Sequence, residues 1–317
     1  MSNPRYLCDM HTHTTRSDGN DSPFELIENA VQIGLYALGI CDHDITPPLT
    51  LELPDGSQVE TVQYALNRGL HLVPGYEFSC DTFVDDVHIC GYKVDWKAPG
   101  ILAEVFAAKE SKSNAYRELC EILTRHGISI DWENDILHYQ TSDGKEAFRT
   151  PDEVQRKHIF ETIALKGYVA NWSEAKILVR DTPEYNIKRR KIDPLDAIQL
   201  IHQNGGIAIL AHPYLIDEEI QPQFASRSIS RFDYIDRLID AGLDGIEASY
   251  TYDKTTYKGT QTPEEIEEEV RDRYSRRVSF ISGGSDYHAD AKKNSSKVRF
   301  LGERGITQEA FGEIFES

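Results

Sequence analysis

The segment "CDMHTHTTRSDG" (residues 8–19) places His11, His13 and Asp18 within eight positions, at the end of an apolar run. Side chains alternate along an extended strand, so an H-x-H pair turns both imidazoles to one face. Two imidazoles and a nearby carboxylate are donors of the kind a divalent transition metal takes. The same residue types recur where other short apolar runs end. Asp42, His43 and Asp44 follow "ALGI", Glu77 closes "HLVPGYE", and His88 lies in "VHICGYKVD". His212 follows "IAILA", and Asp286 with His288 follow "VSFISGG". Alternation predicts that Asp286 and His288 in "SDYH" also share a face. Imidazole with carboxylate and no cysteine suits Zn, Mn or Fe and does not choose among them. Asp42 and Asp44 read either as supports for ligands or as caps of the next loop. Glu247, in "DGIEASY", reads either as a support behind the ligands or as a substrate contact. The isolated His71, His126, His138 and His202 read as packing or hydrogen-bonding residues.

Donors this far apart in sequence need a scaffold that brings strand ends together. Apolar runs of strand length alternate with helical patterns, the signature of βα units. "YLCDMHTH" reads as a first strand. "SPFELIENAVQIG" follows as a helix, with Ser22 as N-cap, Pro23 at N1 and Glu25 at N3 of a capping box. "ALGICDHD", "HLVPGYEFSC" and "VHICGYKVD" read as strands two to four, with the helix "TVQYALNRG" before the third. Residues 99 to about 191 change style, with long helical patterns and the polar stretch "HYQTSDGKEAFRTPDE", and read as an insertion. The rhythm resumes with the helix "PLDAIQLIHQNGG" and the strands "IAILAHP", "DGIEASY" and "VSFISGGSDYH". The helices "FDYIDRLIDAG" and "TPEEIEEEVRDRYSRR" lie between those strands, the second capped by Thr262 and Glu265. In βα barrels ligands bind at the C-terminal rim of the strands, which is where these donors fall.

The chain has 317 residues, 39% hydrophobic and 27% charged, enough for one large α/β domain with an insertion. Its net charge of −19 argues against a grip on long nucleic acid. Apolar runs no longer than a strand predict no membrane span, and the N-terminus lacks a signal-peptide pattern. The five cysteines, Cys8, Cys41, Cys80, Cys90 and Cys120, include no C-x-x-C pair, which fits buried thiols in a reducing cytoplasm.

Together "DMHTHTTRSDGNDSPFELIENA", "GICDHD", "VPGYEFS", "VHICGY", "IAILAHP" and "GGSDYH" resemble the PHP (polymerase and histidinol phosphatase) family, specifically its stand-alone phosphoesterases. The resemblance covers residues 5–98 and 192–290. It implies an α/β fold: a distorted seven-stranded (β/α) barrel over 1–98 and 192–317, with a mainly helical insertion or cap at 99–191. It also implies three divalent transition-metal ions, Mn before Fe or Zn. His11, His13, Glu77 and Asp286 would hold the first. Glu77 would bridge to a second, shared with His88 and His212. Asp18, His43 and His288 would hold the third. H-x-H by itself also occurs in amidohydrolases, which usually bridge two metals with a carbamylated lysine; Glu77 takes that role here.

Within the insertion, "RKHIFETIALKGYV" resembles the family's R-P-H segment, with Lys157 where proline is usual. This makes Arg156 and His158 candidates for gripping phosphate, with Ser17 and Arg149 as further substrate contacts. His158 and His288 are the candidates for assisting the leaving oxygen. The run "KRRK" (188–191) reads as a solvated linker. "ITPPLTLELPDGSQVE" after His43 departs from the family pattern, either remodelling the substrate pocket or decorating its edge.

The function implied is hydrolysis of a small phosphate mono- or diester, of the nucleoside 3′,5′-bisphosphate or cyclic phosphate type. Attack on phosphorus would come from metal-activated hydroxide. A 5′–3′ exonuclease on short RNA and a histidinol-phosphate phosphatase are the alternatives. Intact donors at all nine positions disfavour a non-catalytic metal-binding module. The oligomeric state is left open.

Overall fold

The computed structural model describes residues 5–140, 144–222, 225–293 and 297–316. The chain divides into two compact units, Met1–Val105 with Ile192–Ser317, and Phe106–Lys191.

The first unit is built on seven strands: β1 (Cys8–Thr12), β2 (Ala37–Ile40), β3 (His71–Ser79), β4 (His88–Tyr92), β5 (Ile207–Leu210), β6 (Gly245–Ser249) and β7 (Phe280–Gly283). They neighbour one another in chain order. β1, β2 and β3 run parallel, as do β5, β6 and β7, while β4 runs antiparallel to both β3 and β5. Just beyond β7, Tyr287 bridges in parallel to Thr12 and its carbonyl accepts from His13 N at 2.9 Å, so the mixed sheet is a nearly closed barrel. The reversed β4 departs from an uninterrupted βα rhythm for a physical reason. Only residues 80–87 join it to β3, too few for the crossover a parallel partner needs.

In the first unit, helices pack outside the sheet. The chain carries α1 (Pro23–Ile33), α2 (Thr61–Asn67), α3 (Pro99–Arg125), α4 (Arg156–Leu165), α5 (Trp172–Asp181), α6 (Pro194–Gln203), α7 (Arg231–Asp240) and α8 (Pro263–Tyr274). α1 has the expected box: Ser22 Oγ accepts from Glu25 N, and Glu25 Oε2 accepts from Ser22 N at 2.7 Å. It ends at Gly34, whose φ of 79° suits glycine. α8 is boxed in the same way by Thr262 and Glu265. A core including Tyr76, Phe78, Ile89, Ile198, Ile201, Leu210, Ile235, Leu238 and Tyr274 lies between strands and helices. A smaller cluster, Cys41, Cys90, Tyr92, Ile209 and Ala211, draws on the barrel strands themselves. All five cysteines are free and buried.

The stretch after His43 is neither a bare loop nor a helix. Thr50–Glu52 pairs with Gln58–Glu60 in an antiparallel hairpin, turned around Pro54-Asp55-Gly56-Ser57.

The second unit contains most of α3, together with α4, α5 and a short hairpin, His138–Gln140 with Glu146–Phe148. The hairpin occupies part of the polar stretch inside the mainly helical region. Leu119, Leu123, Trp132, Ile136, Ile159, Ile163 and Val179 form its own apolar core. Among the described residues no helix is long and apolar enough to cross a membrane.

Candidate metal centre

One carboxylate organises the barrel rim. Glu77, near the end of β3, is fully buried, and five imidazoles surround it. Its Oε2 lies 3.3 Å from His11 Nε2, 3.3 Å from His13 Nε2 and 2.9 Å from His43 Nδ1. Its Oε1 lies 2.9 Å from His88 Nδ1 and 3.0 Å from His212 Nε2. Those last two nitrogens are 3.2 Å apart, and His11 Nε2 is 3.1 Å from His13 Nε2. Asp286 Oδ1 approaches His13 Nε2 at 3.0 Å, and Asp18 Oδ1 approaches His288 Nε2 at 3.0 Å. All nine residues singled out as ligands therefore gather in one constellation within the first unit.

The elements explain the convergence only in part. His11 and His13 behave as strand alternation predicts, at the end of β1. His88 begins β4, and because that strand is reversed its first residue reaches the rim where its neighbours end. Its register partner is Ser79, two residues beyond Glu77.

Asp286 and His288 correct the alternation argument. β7 stops at Gly283, and Asp286 has a φ of 52° in the left-handed region, so a turn and not a strand brings the two together. His212 sits just past β5 with a φ of 30°. Left-handed backbone at non-glycine residues is strained and concentrates at functional sites. Gly284 permits the turn: a Cβ there would stand 2.3 Å from His11 Cβ.

The two undecided aspartates act as loop supports. Asp42, fully buried, accepts from Thr14 N (2.8 Å), Thr14 Oγ1 (2.7 Å) and Ser17 Oγ (2.6 Å). It therefore shapes the loop that carries Asp18. Asp44 Oδ1 accepts from Ser79 N at 3.0 Å. Ser17, expected to touch substrate, spends its hydroxyl proton on Asp42. Glu247 stands behind the ligands: its Oε2 is 3.3 Å from His11 Nδ1 and accepts from His212 N at 2.8 Å. A carboxylate behind an imidazole fixes which ring nitrogen faces the centre.

The remaining candidates belong to the second unit. Arg149 donates to Ile136 O at 3.0 Å and stacks on the Tyr139 ring at 3.9 Å, so its guanidinium serves the local fold. Arg156 is exposed at the start of α4. His158 Nδ1 accepts from Gln155 N at 3.0 Å, a cap for that helix. Burial, then the charges of Arg149, Lys157 and Lys112, push His158 down to about 3, so it is neutral at neutral pH. With Nδ1 accepting, the neutral ring carries its proton on Nε2, which can donate a hydrogen bond.

Three residues were missed: the buried Asp9 and Tyr250, and the partly buried Arg299. Asp9 accepts from Ser285 N (2.9 Å), Ser285 Oγ (2.6 Å) and Gly302 N (2.9 Å), tying β1 to the turn that carries Asp286. Burial pushes its carboxyl up to about 7 against those hydrogen bonds. By strand alternation it shares a face with His11 and His13, a signal in the sequence that went unread.

The electrostatics are those of a donor set. Burial alone would raise Glu77, but the charges of His43, His11 and His88 outweigh it and hold the carboxyl well below its usual range. Burial likewise disfavours charged His11, yet Glu77 and Glu247 raise it well above 6.5. His13 goes the other way, down to about 4, through burial and the facing His288 and His43.

A cation fits this arrangement better than hydrogen bonding does. Glu77 Oε2 and His43 Nδ1 are buried and 2.9 Å apart, yet neither has a hydrogen-bond partner among the described residues. His13 Nδ1 and His212 Nδ1 are also buried without one. Buried polar atoms are normally satisfied, so these unbonded atoms beside so many donors fit a shared cation. Donor atoms of His13, Asp18, His43 and His288 fall within 4.8 Å of one another, as do those of His11, His13 and Asp286, and of His43, Glu77 and His88.

Comparison with known proteins agrees. The PHP domain model matches residues 9–206. The chain belongs to the PHP family. It is a metal-dependent phosphoester hydrolase. Among curated relatives, a 5′-3′ exoribonuclease of Haemophilus influenzae is 31% identical over 206 residues, covering 65% of this chain and 68% of its own. A phosphoribosyl 1,2-cyclic phosphate 1,2-diphosphodiesterase of Eggerthella lenta is 27% identical, with 88% and 93% covered. A 3′,5′-nucleoside bisphosphate phosphatase of Chromobacterium violaceum is 25% identical, with 89% and 87% covered. The crystal structure of a Bifidobacterium adolescentis protein, provisionally named a metal-dependent phosphoesterase, superposes with a TM-score of 0.68 at 25% identity, covering 99% of this chain and 96% of that one.

Proposed function

We propose that this PHP protein hydrolyses a small phosphate ester, of the nucleoside 3′,5′-bisphosphate or cyclic phosphate type, on three divalent ions with Mn preferred. The observation that carries this reading is Glu77, whose two oxygens face two different sets of imidazoles. A carboxylate so placed can join two ions. His11, His13 and Asp286 would complete the first position, and His88 with His212 the second. Asp18, His43 and His288 would form the third. Bound divalent ions would acidify water toward neutrality and offset charge on phosphoryl oxygens.

The chain's own residues do the positioning. Glu247 holds the His11 ring, and Asp42 holds the loop that presents Asp18. Exposure rises from Glu77 and His13, whose side chains are at most 1% exposed, to His43 at 25% and Asp18 at 51%. Substrate would therefore enter at the Asp18–His43 corner, and His288 beside Asp18 is assigned to the leaving-oxygen side. Arg156 is assigned a phosphate-binding role and His158 a neutral hydrogen-bonding one. Several adjoining donor sets suit a substrate presenting several phosphoryl oxygens, and the net charge of −19 disfavours long polyanions.

The similarity to the Haemophilus exoribonuclease supports a second reading, trimming of short RNA from its 5′ end. A phosphate-release assay on Mn-loaded protein separates them. The panel is a nucleoside 3′,5′-bisphosphate, a ribose cyclic phosphate, histidinol phosphate and 5′-phosphorylated oligoribonucleotides. Preference for the first or second supports the proposal. Preference for the oligonucleotide moves the assignment to the exonuclease, and inactivity on the whole panel overturns both.

A further inference from the structure

Asp286 poses a positional problem. It lies outside any strand, at a left-handed φ, so the sheet does not aim its carboxylate. Two donors do. Tyr250 Oη and Arg299 Nη1 each donate to Asp286 Oδ2 at 2.6 Å. The other oxygen, Oδ1, is turned toward His13 Nε2 at 3.0 Å, His288 Nδ1 at 3.5 Å and His11 Nε2 at 3.8 Å.

Arg299 is itself locked. Its Nε and Nη2 donate to Asp290 Oδ2 (2.8 Å) and Oδ1 (3.0 Å), a two-pronged pairing, and its backbone N donates to the same carboxylate at 3.2 Å. The guanidinium is 15% exposed and the two carboxylates it joins are about as buried. Arg suits this work because its planar fork offers donors in fixed directions. Tyr250 is held as well: it follows β6 directly, and its ring packs 5.1 Å from His212 and 6.4 Å from His11.

We infer that Arg299, clamped by Asp290 and seconded by Tyr250, is a positioning residue that commits one oxygen of Asp286 to the protein and the other to the metal centre. The inference rests on the metal reading above and goes beyond it. Arg299 does not touch the reacting atoms. It makes Asp286 a one-oxygen ligand and keeps its turn in place whether or not metal is bound. Outer residues that orient a metal ligand typically contribute about 10- to 100-fold in metal affinity.

The test measures Mn2+ dissociation constants on chelator-stripped full-length protein, by competition with a metal-binding dye. The proteins compared are wild type, Arg299→Gln, Arg299→Lys and Tyr250→Phe, with circular dichroism as the folding check. Arg299→Gln should bind the tightest Mn2+ roughly 10- to 100-fold more weakly. Arg299→Lys should recover part of the loss through one hydrogen bond to Asp286. At saturating Mn2+, kcat should fall while the substrate KM stays within about twofold. Tyr250→Phe, which keeps the ring and loses only one donor, should show a smaller loss of the same kind; it also stands in if Arg299→Gln does not fold. Unchanged Mn2+ affinity in the folded variants overturns the inference. So does a raised KM at unchanged affinity, which would make Arg299 a substrate contact. Wild type that binds no Mn2+ overturns the metal reading itself, a distinct outcome.

Discussion

Replacing Glu77 by glutamine removes one negative charge from the centre of five imidazoles with almost no change in shape. In metal-free protein that charge favours the protonated form of the partly buried His43. Burial pushes His43 down, but Glu77 first and then Asp18 raise it to about 10 from 6.5. A base raised on folding stabilises fully below its unfolded pKa, and the benefit fades as pH climbs toward the folded value. At pH 8 the folded chain keeps a proton that the unfolded chain has mostly lost, worth roughly 2–3 kcal/mol at about 1.36 kcal/mol per unit. Glu77→Gln removes the largest raising charge, so the metal-free variant should be least stable relative to wild type near pH 6.5. The gap should narrow by about 2 kcal/mol or more by pH 10, where about half of the wild type has lost the His43 proton. Urea unfolding of stripped protein at pH 6.5, 8 and 10, followed by circular dichroism, reads the difference. Parallel pH profiles for the two proteins would refute the reasoning. With Mn2+ restored, the variant should also lose more turnover than the roughly 100-fold that changes behind a ligand produce.

Other perturbations act on single links of the same arrangement. Asp42→Asn replaces an acceptor of three hydrogen bonds and should cost roughly 1–3 kcal/mol in thermal unfolding, with turnover falling as the Asp18 loop loosens. Wild-type stability would remove Asp42 from the account. Gly284→Ala places a methyl against His11, where the nearest atom would be 2.3 Å away, and should reduce bound Mn2+ along with activity. Normal metal content in that variant would show that the turn has slack. Arg156→Ala should raise substrate KM by about tenfold at unchanged Mn2+ content and unchanged melting temperature, because the residue is exposed. An unchanged KM would leave phosphate binding to other groups. Chelation should abolish phosphate release and lower the melting temperature, with both restored by Mn2+; activity that survives complete removal would contradict metal dependence.

How much of this was legible in the sequence depended on whether local backbone rules governed each residue. His11 and His13 obey strand alternation, and Ser22 with Glu25 obeys capping geometry, so both were readable. Asp286 and His288 were the right residues for an inaccurate reason: a left-handed turn, permitted by Gly284, does what alternation was expected to do. His88 was found by type, but its reversed strand was hidden until the short 80–87 connection was weighed against the length a parallel crossover needs. The hairpin at 50–60 carried an unread signal, the Pro54-Asp55-Gly56-Ser57 turn between alternating flanks. Asp42 and Glu247 could be placed near the site, yet whether each carboxylate meets a metal, a loop or an imidazole is decided by tertiary contacts. Arg299 and Asp290 lay in a stretch with no periodicity and no motif, and only the fold shows that they converge on Asp286. In the second unit, Arg149 was a candidate by its charge and His158 by its resemblance to the R-P-H segment. Their ring stacking, capping and burial are three-dimensional facts that a residue list does not contain.

The central claim is that nine side chains of the barrel rim form one metal centre around Glu77. Anomalous scattering at the manganese edge, from crystals of the Mn-loaded protein, tests it most directly. Three peaks are expected: one among His11, His13, Glu77 and Asp286, one among Glu77, His88 and His212, and one among Asp18, His43 and His288. No peak within that set, or manganese bound only elsewhere on the chain, would contradict it.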